Sequence, residues 1–278
     1  MFIVKKTSKS NYKRVFIAIG AIIIVFLLIV VLKSPTTNNS SAVDALAPQK
    51  LINQITSIPD SVFNQIGIGT STVKATPISG KPYLSSNGLP QVLYIGAEYC
   101  PYCAAERWSM VIALSKFGTF KNLGTTHSSS TDVYPNTQTF SFHGSSYTSK
   151  YLGFVPIEEY SNIPTSTGYT TLEQPTSFQQ SLMNTYDAPP YTTSSNQGAI
   201  PFVYFNGKYM IVGATYSPQP LQNQSYQNIA DALTNVKSPI AKGIIGSANN
   251  LTATICKITN NQPATACTPT IKKIEAGL

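Results

Sequence analysis

The chain has 278 residues, of which 42 % are hydrophobic and only 11 % charged, with four cysteines and a formal net charge of +8. That length allows one or two domains with a sizeable core, so the fold need not depend on disulfides. Six of the 19 basic residues, Lys5, Lys6, Lys9, Lys13, Arg14 and Lys33, flank one segment, leaving 13 basic against 11 acidic residues elsewhere, a balance that excludes a nucleic-acid footprint.

In chain order, a basic stretch (1–14) precedes Val15 to Leu32, 18 residues with no charge, about 27 Å long as a helix and enough to span a bilayer. The excess of positive charge before this segment predicts a single-pass anchor in the cell membrane, with the N-terminus cytoplasmic and the C-terminal domain extracellular. A cleaved signal peptide is the competing reading, since "ALA" at Ala45 to Ala47 resembles a cleavage site, but it lies far beyond an overlong apolar core. Residues 33–50 read as a polar linker. A folded domain is expected over 51–245, followed by a C-terminal extension over 246–278. Acceptor triplets for N-glycosylation begin at Asn38, Asn39, Asn223 and Asn250, in keeping with export.

"IPDSVFNQIG" (Ile58 to Gly67) predicts a short helix capped by Asp60 or Ser61 and stopped by Gly67. "PQVLYIG" (Pro90 to Gly96) predicts a buried strand, and from Ala104 the apolar residues change to helical spacing until Gly118. The middle of the chain is harder to read. "TFSF" (Thr139 to Phe142) and "YLGFVPIEEY" (Tyr151 to Tyr160) have strand character, and "TSFQQSLMNTY" (Thr176 to Tyr186) helical character. "GAIPFVYFNGKYMIVG" (Gly198 to Gly213) predicts a β-hairpin turning at Asn206-Gly207, and "PLQNQSYQNIADALTNV" (Pro220 to Val236) an amphipathic helix.

The cysteines fall into two pairs. Cys100 and Cys103, in "CPYC", stand where a strand gives way to a helix, and unpaired N–H groups and the positive end of the helix dipole favour a thiolate at Cys100. Cys103, one turn further in, is placed to attack a mixed disulfide on Cys100. Pro101 suits the first helical turn, and Tyr102 is a neutral tuner. Zinc would require a second close pair, haem attachment a histidine after Cys103, and a purely structural disulfide would close too little chain to stabilise much. Ile200-Pro201 precedes a strand. A cis bond there would turn the Ile200 backbone outward toward an extended peptide, whereas a trans bond would merely start an edge strand. Cys256 and Cys267 bracket ten turn-rich residues. A disulfide closing this loop is worth about 3 kcal/mol in the chain-entropy model and would staple a C-terminal hairpin or extension, with a second redox pair as the alternative.

Strand, "CPYC", helix, long insertion, "IP" and hairpin with an "NG" turn resemble the thioredoxin superfamily, and "CPYC" is similar to the tetrapeptide of glutaredoxins. The resemblance runs from about Pro90 to Val236. The 97 residues between Cys103 and Pro201 resemble DsbA-type oxidoreductases more than thioredoxin. "EYCPYCAAERW" with "HSSSTDVYPNT" (His127 to Thr137) resembles an uncharacterised family of exported, membrane-anchored thioredoxin-like proteins of archaea and some bacteria.

The resemblance implies an α/β fold with a central mixed sheet flanked by helices and an insertion at about 119–198. It also implies Cys100 as nucleophile, Cys103 as resolving cysteine and Pro201 as cis-proline. The implied function is extracytoplasmic thiol-disulfide exchange with exported proteins, without cofactor or metal but with a membrane or soluble redox partner to recharge the site. The alternative is a non-enzymatic cell-surface binding or envelope protein with a static CPYC disulfide. Thioredoxins carry a buried acid where this chain has Tyr94. Glu98 or Glu106 could replace it, although both read as solvated surface carboxylates. His127 and His143 read as structural or surface groups, and Trp108 as core.

Overall fold

The computed structural model describes residues 45–278. The expected anchor at 15–32, its basic flank, most of the linker and the Asn38 and Asn39 triplets lie outside them. Among the described residues no helix is long and apolar enough to cross a membrane. The expectation of a single-pass cell-membrane protein is therefore corrected: no described helix supplies the span it requires.

The last linker residues belong to the domain. Ala47 N–H donates to the Leu123 carbonyl, Thr125 N–H to the Ala45 carbonyl, and helix α1 (Gln49–Thr56) starts before the expected boundary at 51. Helix α2 (Asp60–Ile66) follows Pro59, which occupies the N-cap position expected of Asp60 or Ser61, and Gly67 closes it at φ +56°, a conformation glycine adopts without penalty.

The fold centres on a five-stranded mixed sheet in the order β1 (Thr76–Pro77), β11 (Tyr209–Val212), β10 (Phe202–Phe205), β2 (Gln91–Gly96) and β7 (Gly153–Glu158). Only β2 and β7 are parallel. Alternation along β2 explains the layers on either side. Val92 and Tyr94 join Val203, Phe205 and Ile211 in a core that includes residues of helices α3 (Pro101–Ser115) and α6 (Pro239–Ile258). Leu93 and Ile95 face the other way, with Phe202, Tyr204 and Met210, toward Leu182, Met183 and Tyr186 of helix α4 (Ser177–Tyr186). Burial on both faces makes β2 an apolar run. The hairpin forms as expected, with Asn206 at φ +47° and Gly207 at φ +74°, the pair of positive angles that a type I′ turn requires.

Three expectations need revision. The segment 119–198, expected as an insertion, contributes β7 to the central sheet. It also contains helix α4 and the pairs β3 (Gly118–Lys121) with β6 (Ser146–Ser149), β4 (Gly124–His127) with β5 (Gln138–Ser141), and β8 (Tyr160–Thr165) with β9 (Gly168–Thr171). The helix expected over 220–236 shrinks to α5 (Tyr226–Ala232), since Asn223 turns left-handed at φ +60° and the Ser225 side chain caps a new start at the Asn228 N–H. The boundary at 245 falls inside α6, whose 20 residues pack against α3 and α2.

The Cys256–Cys267 disulfide forms as expected, and of the two expected staples, hairpin or extension, it is the extension, joining the end of α6 to the approach to helix α7 (Pro269–Glu275). Asn250 is 3 % exposed and donates to the Val73 carbonyl, so its triplet is sealed in the core and unavailable for glycosylation. Asn223 is exposed.

Candidate functional site

Strand β2 ends at Gly96, and four residues later Cys100 takes the N-cap position of α3, in extended backbone conformation with Pro101 in the first turn. The Cys103 N–H donates to Cys100 Sγ at 3.2 Å. A thiolate is a better acceptor than a thiol for the unpaired N–H groups of a helix start, so the local fold favours charge on Cys100. Both cysteines are free in this structure. A hydrogen bond from the Cys103 side chain lowers the Cys100 pKa most, burial opposes it, and the Cys103 N–H and the Arg107 charge add to the lowering. Cys103 responds in the opposite direction: burial, then its bond to Cys100 and the Cys100 charge, push it well up against the pull of Arg107 and the Ala97 N–H. The two sulfurs are thus differentiated into a charge-prone outer group and a proton-holding inner one.

The Ile200–Pro201 peptide bond is cis, and β10 lies between β11 and β2 rather than at an edge. The Cys100 thiol meets the Ile200 carbonyl at 3.8 Å. Residues a hundred positions apart therefore converge on one sulfur. Cys100 is 6 % exposed and Cys103 fully buried, while Tyr102 between them is 41 % exposed. An aromatic rim surrounds the junction: Tyr99 stacks on Tyr169 at 4.2 Å, and Tyr102 meets Tyr134 edge-on at 6.0 Å. Ser129 N–H donates to the Tyr99 carbonyl and Glu98 N–H to the Tyr160 carbonyl, both at 2.8 Å. These bonds attach the loop after His127 and the β8–β9 hairpin to the junction.

Neither expected surface carboxylate is on the surface. Glu98 is buried and accepts from Ser141 Oγ at 2.5 Å. Glu106 is fully buried on α3, and its Oε2 accepts from the N–H and hydroxyl of Thr215, each at 2.9 Å. Burial raises its pKa to about 7, against the pull of the Thr215 bonds. His127 Nδ1 lies 2.9 Å from the Ser128 carbonyl, and His143 pairs with Glu173 at 2.6 Å. Trp108 is core, donating to the Gln138 carbonyl.

Sequence reasoning missed the ion pair below the dithiol. Arg107 on α3 and Glu158 at the end of β7 are both fully buried, joined by two hydrogen bonds of 2.7 and 2.8 Å. Burial opposes the Arg107 charge, and Glu158 more than restores it. Burial likewise pushes Glu158 up, while the Arg107 charge and hydrogen bonds pull it toward ionisation. The twin short contacts fit a carboxylate gripped by a guanidinium, so the pair is ionised. The available signal was charge inside apolar runs of a charge-poor chain, "AAERW" in a helix and "VPIEEY" in a strand. Among the described residues no group of three or more His, Cys, Asp or Glu could hold a metal.

A cysteine at a helix N-cap, a second one turn inward and a proline loop closing over the first place the chain among α/β proteins with a dithiol at a strand-to-helix junction. Residues 74–257 match a family described as a domain of unknown function, DUF929, and the chain belongs to that family. No curated protein and no solved structure matches it.

Proposed function

We propose that the described domain is thioredoxin-like and that CPYC is a thiol-disulfide exchange site acting on other proteins. The order of β2, CPYC helix, parallel β7 and the β10–β11 hairpin supports the fold. The contact of Cys100 Sγ with both the Cys103 N–H and the Ile200 carbonyl carries the functional reading. The Cys100 thiolate attacks a substrate disulfide, forming a Cys100–substrate disulfide and releasing one substrate sulfur as thiolate. Cys103 then attacks Cys100 Sγ, forming the Cys100–Cys103 disulfide and releasing the second substrate sulfur with the two electrons. Run backward, the same steps oxidise a substrate dithiol. A separate redox partner must restore the starting state in either direction. The chemistry needs no metal or organic cofactor.

The low exposure of Cys100 favours a second reading, a binding protein whose CPYC pair is a static disulfide. Incubating the Cys103→Ser protein with an unfolded, disulfide-containing protein separates the two. Exchange predicts a reductant-sensitive adduct at Cys100 that Cys100→Ser abolishes. Absence of the adduct with Cys103→Ser would leave the binding protein.

A further inference from the structure

Two polar atoms beneath the dithiol have no hydrogen-bond partner among the described residues: Arg107 Nη1 and the Tyr94 hydroxyl, both buried. Unpaired buried donors are uncommon and costly, so each calls for a physical reason. The Tyr94 side chain runs along β2 toward the site, since a Cβ at Gly96 would stand 2.2 Å from its hydroxyl oxygen. Glycine at 96 is what leaves room for that hydroxyl.

Arg107 is tied to the same place. Its Nη2 donates to the Ala97 carbonyl at 2.6 Å. That carbonyl also accepts the Cys100 N–H at 3.3 Å, and the Ala97 N–H reaches the Cys103 sulfur. The charged or titratable groups that act on Cys103 are Cys100 at the helix cap, Arg107 one turn along α3, Tyr94 on β2 and Tyr99 after β2, while Glu158 on β7 bears on Arg107 and Tyr94. Among these only Arg107 is cationic. Two buried, unpartnered donors thus belong to side chains tied to the strand-to-helix junction, Arg107 through the Ala97 carbonyl and Tyr94 along β2, next to a fully buried thiol that must become an anion in order to react.

We propose that Arg107, clamped by Glu158 and joined by the Tyr94 hydroxyl, forms a preorganised donor set that stabilises Cys103 as a thiolate in the resolving step. This rests on the exchange reading above. In that step the Cys103 sulfur bonds to Cys100 Sγ, and the bond from Cys100 Sγ to the substrate sulfur breaks. The electron pair leaves with the substrate sulfur, which takes up the proton Cys103 gave away. Arg107 and Tyr94 are positioning residues here. Glu158 holds the guanidinium and tempers its charge, so that Cys103 is protonated at rest and ionises on demand.

The test uses the reduced full-length protein and an aromatic disulfide whose thiolate product is coloured. One equivalent is released when Cys100 forms the mixed disulfide, and a second, in a concentration-independent phase, when Cys103 resolves it. Cys103→Ser identifies the first phase. The pH midpoint of the second phase is the readout. Arg107→Met is expected to raise that midpoint by about one unit or more and to slow the phase about tenfold at neutral pH. Tyr94→Phe is expected to shift it less in the same direction. Glu158→Gln is expected to lower it, because Arg107 then acts uncompensated. A merely structural role would not produce opposite shifts from the two halves of one ion pair.

Unchanged midpoints in Tyr94→Phe and Glu158→Gln overturn the inference even if Arg107→Met fails to fold. A wild-type protein that completes the first phase but never the second overturns the exchange reading and the inference together.

Discussion

Replacing Glu106 with glutamine probes the most heavily perturbed carboxylate away from the dithiol. Its folded pKa of about 7 stands above the ordinary 4.5 because the side chain is fully buried. Below pH 4.5 both folded and unfolded chains hold the proton, and the contribution to stability is fully present. Between 4.5 and about 7 the unfolded chain releases the proton while the folded one keeps it. Stability therefore falls as pH rises, by about 1.4 kcal/mol per unit and about 3 kcal/mol in all. Glutamine reproduces the neutral acid, and its amide oxygen can still accept from Thr215. Urea denaturation, followed by fluorescence of Trp108, the only tryptophan in the chain, should show Glu106→Gln gaining about 3 kcal/mol on the wild type between pH 4.5 and 8. Parallel pH-stability curves for the two proteins would refute a neutral buried Glu106.

Removing the second cysteine pair with Cys256→Ala and Cys267→Ala reopens a loop of about 12 residues and should cost about 3 kcal/mol in the same assay. Exchange at CPYC should be unaffected, and a loss below about 1 kcal/mol would contradict a stabilising staple. Gly246→Ala would bring a Cβ within 2.3 Å of the Ile68 carbonyl oxygen. Backbone cannot yield as a side chain does, so a loss of about 1–3 kcal/mol is expected despite the better helix propensity of alanine. A gain in stability would refute that close approach.

What could be read in the sequence was local. Asn206-Gly207 fixed the hairpin because a type I′ turn admits few residue types, and CPYC after an apolar run marked the strand-to-helix junction because proline and an N-cap acceptor belong there. Helix α6 escaped notice because Gly243, Gly246, Asn249, Asn250, Thr252 and Thr254 are poor helix formers. Burial on nearly every side overrides that preference, and the glycines serve contact with Tyr216 and the Ile68 backbone. Strand β7 could be seen as a strand but not assigned to the central sheet, since pairing with β2 is a long-range choice. The burial of Glu98, Glu106, Arg107 and Glu158 was hidden for a related reason. A charged residue next to apolar ones looks like a solvated face until its partner, here 43 to 109 positions away, is known.

Full burial keeps Cys103 neutral, and in the proposed exchange that protects a mixed disulfide from premature resolution but slows the resolving step. An ionised Arg107–Glu158 pair offers charge without leaving either partner unpaired in the core.

The central claim is that Cys100 and Cys103 interconvert between dithiol and disulfide within a folded domain. The most direct measurement is a redox titration of the full-length protein in thiol/disulfide buffers, read by alkylation at Cys100 with Cys100→Ser and Cys256→Ser controls. A reversible midpoint above about −300 mV, with the domain folded throughout, is the predicted result. A CPYC disulfide that resists reduction until the domain unfolds would contradict it.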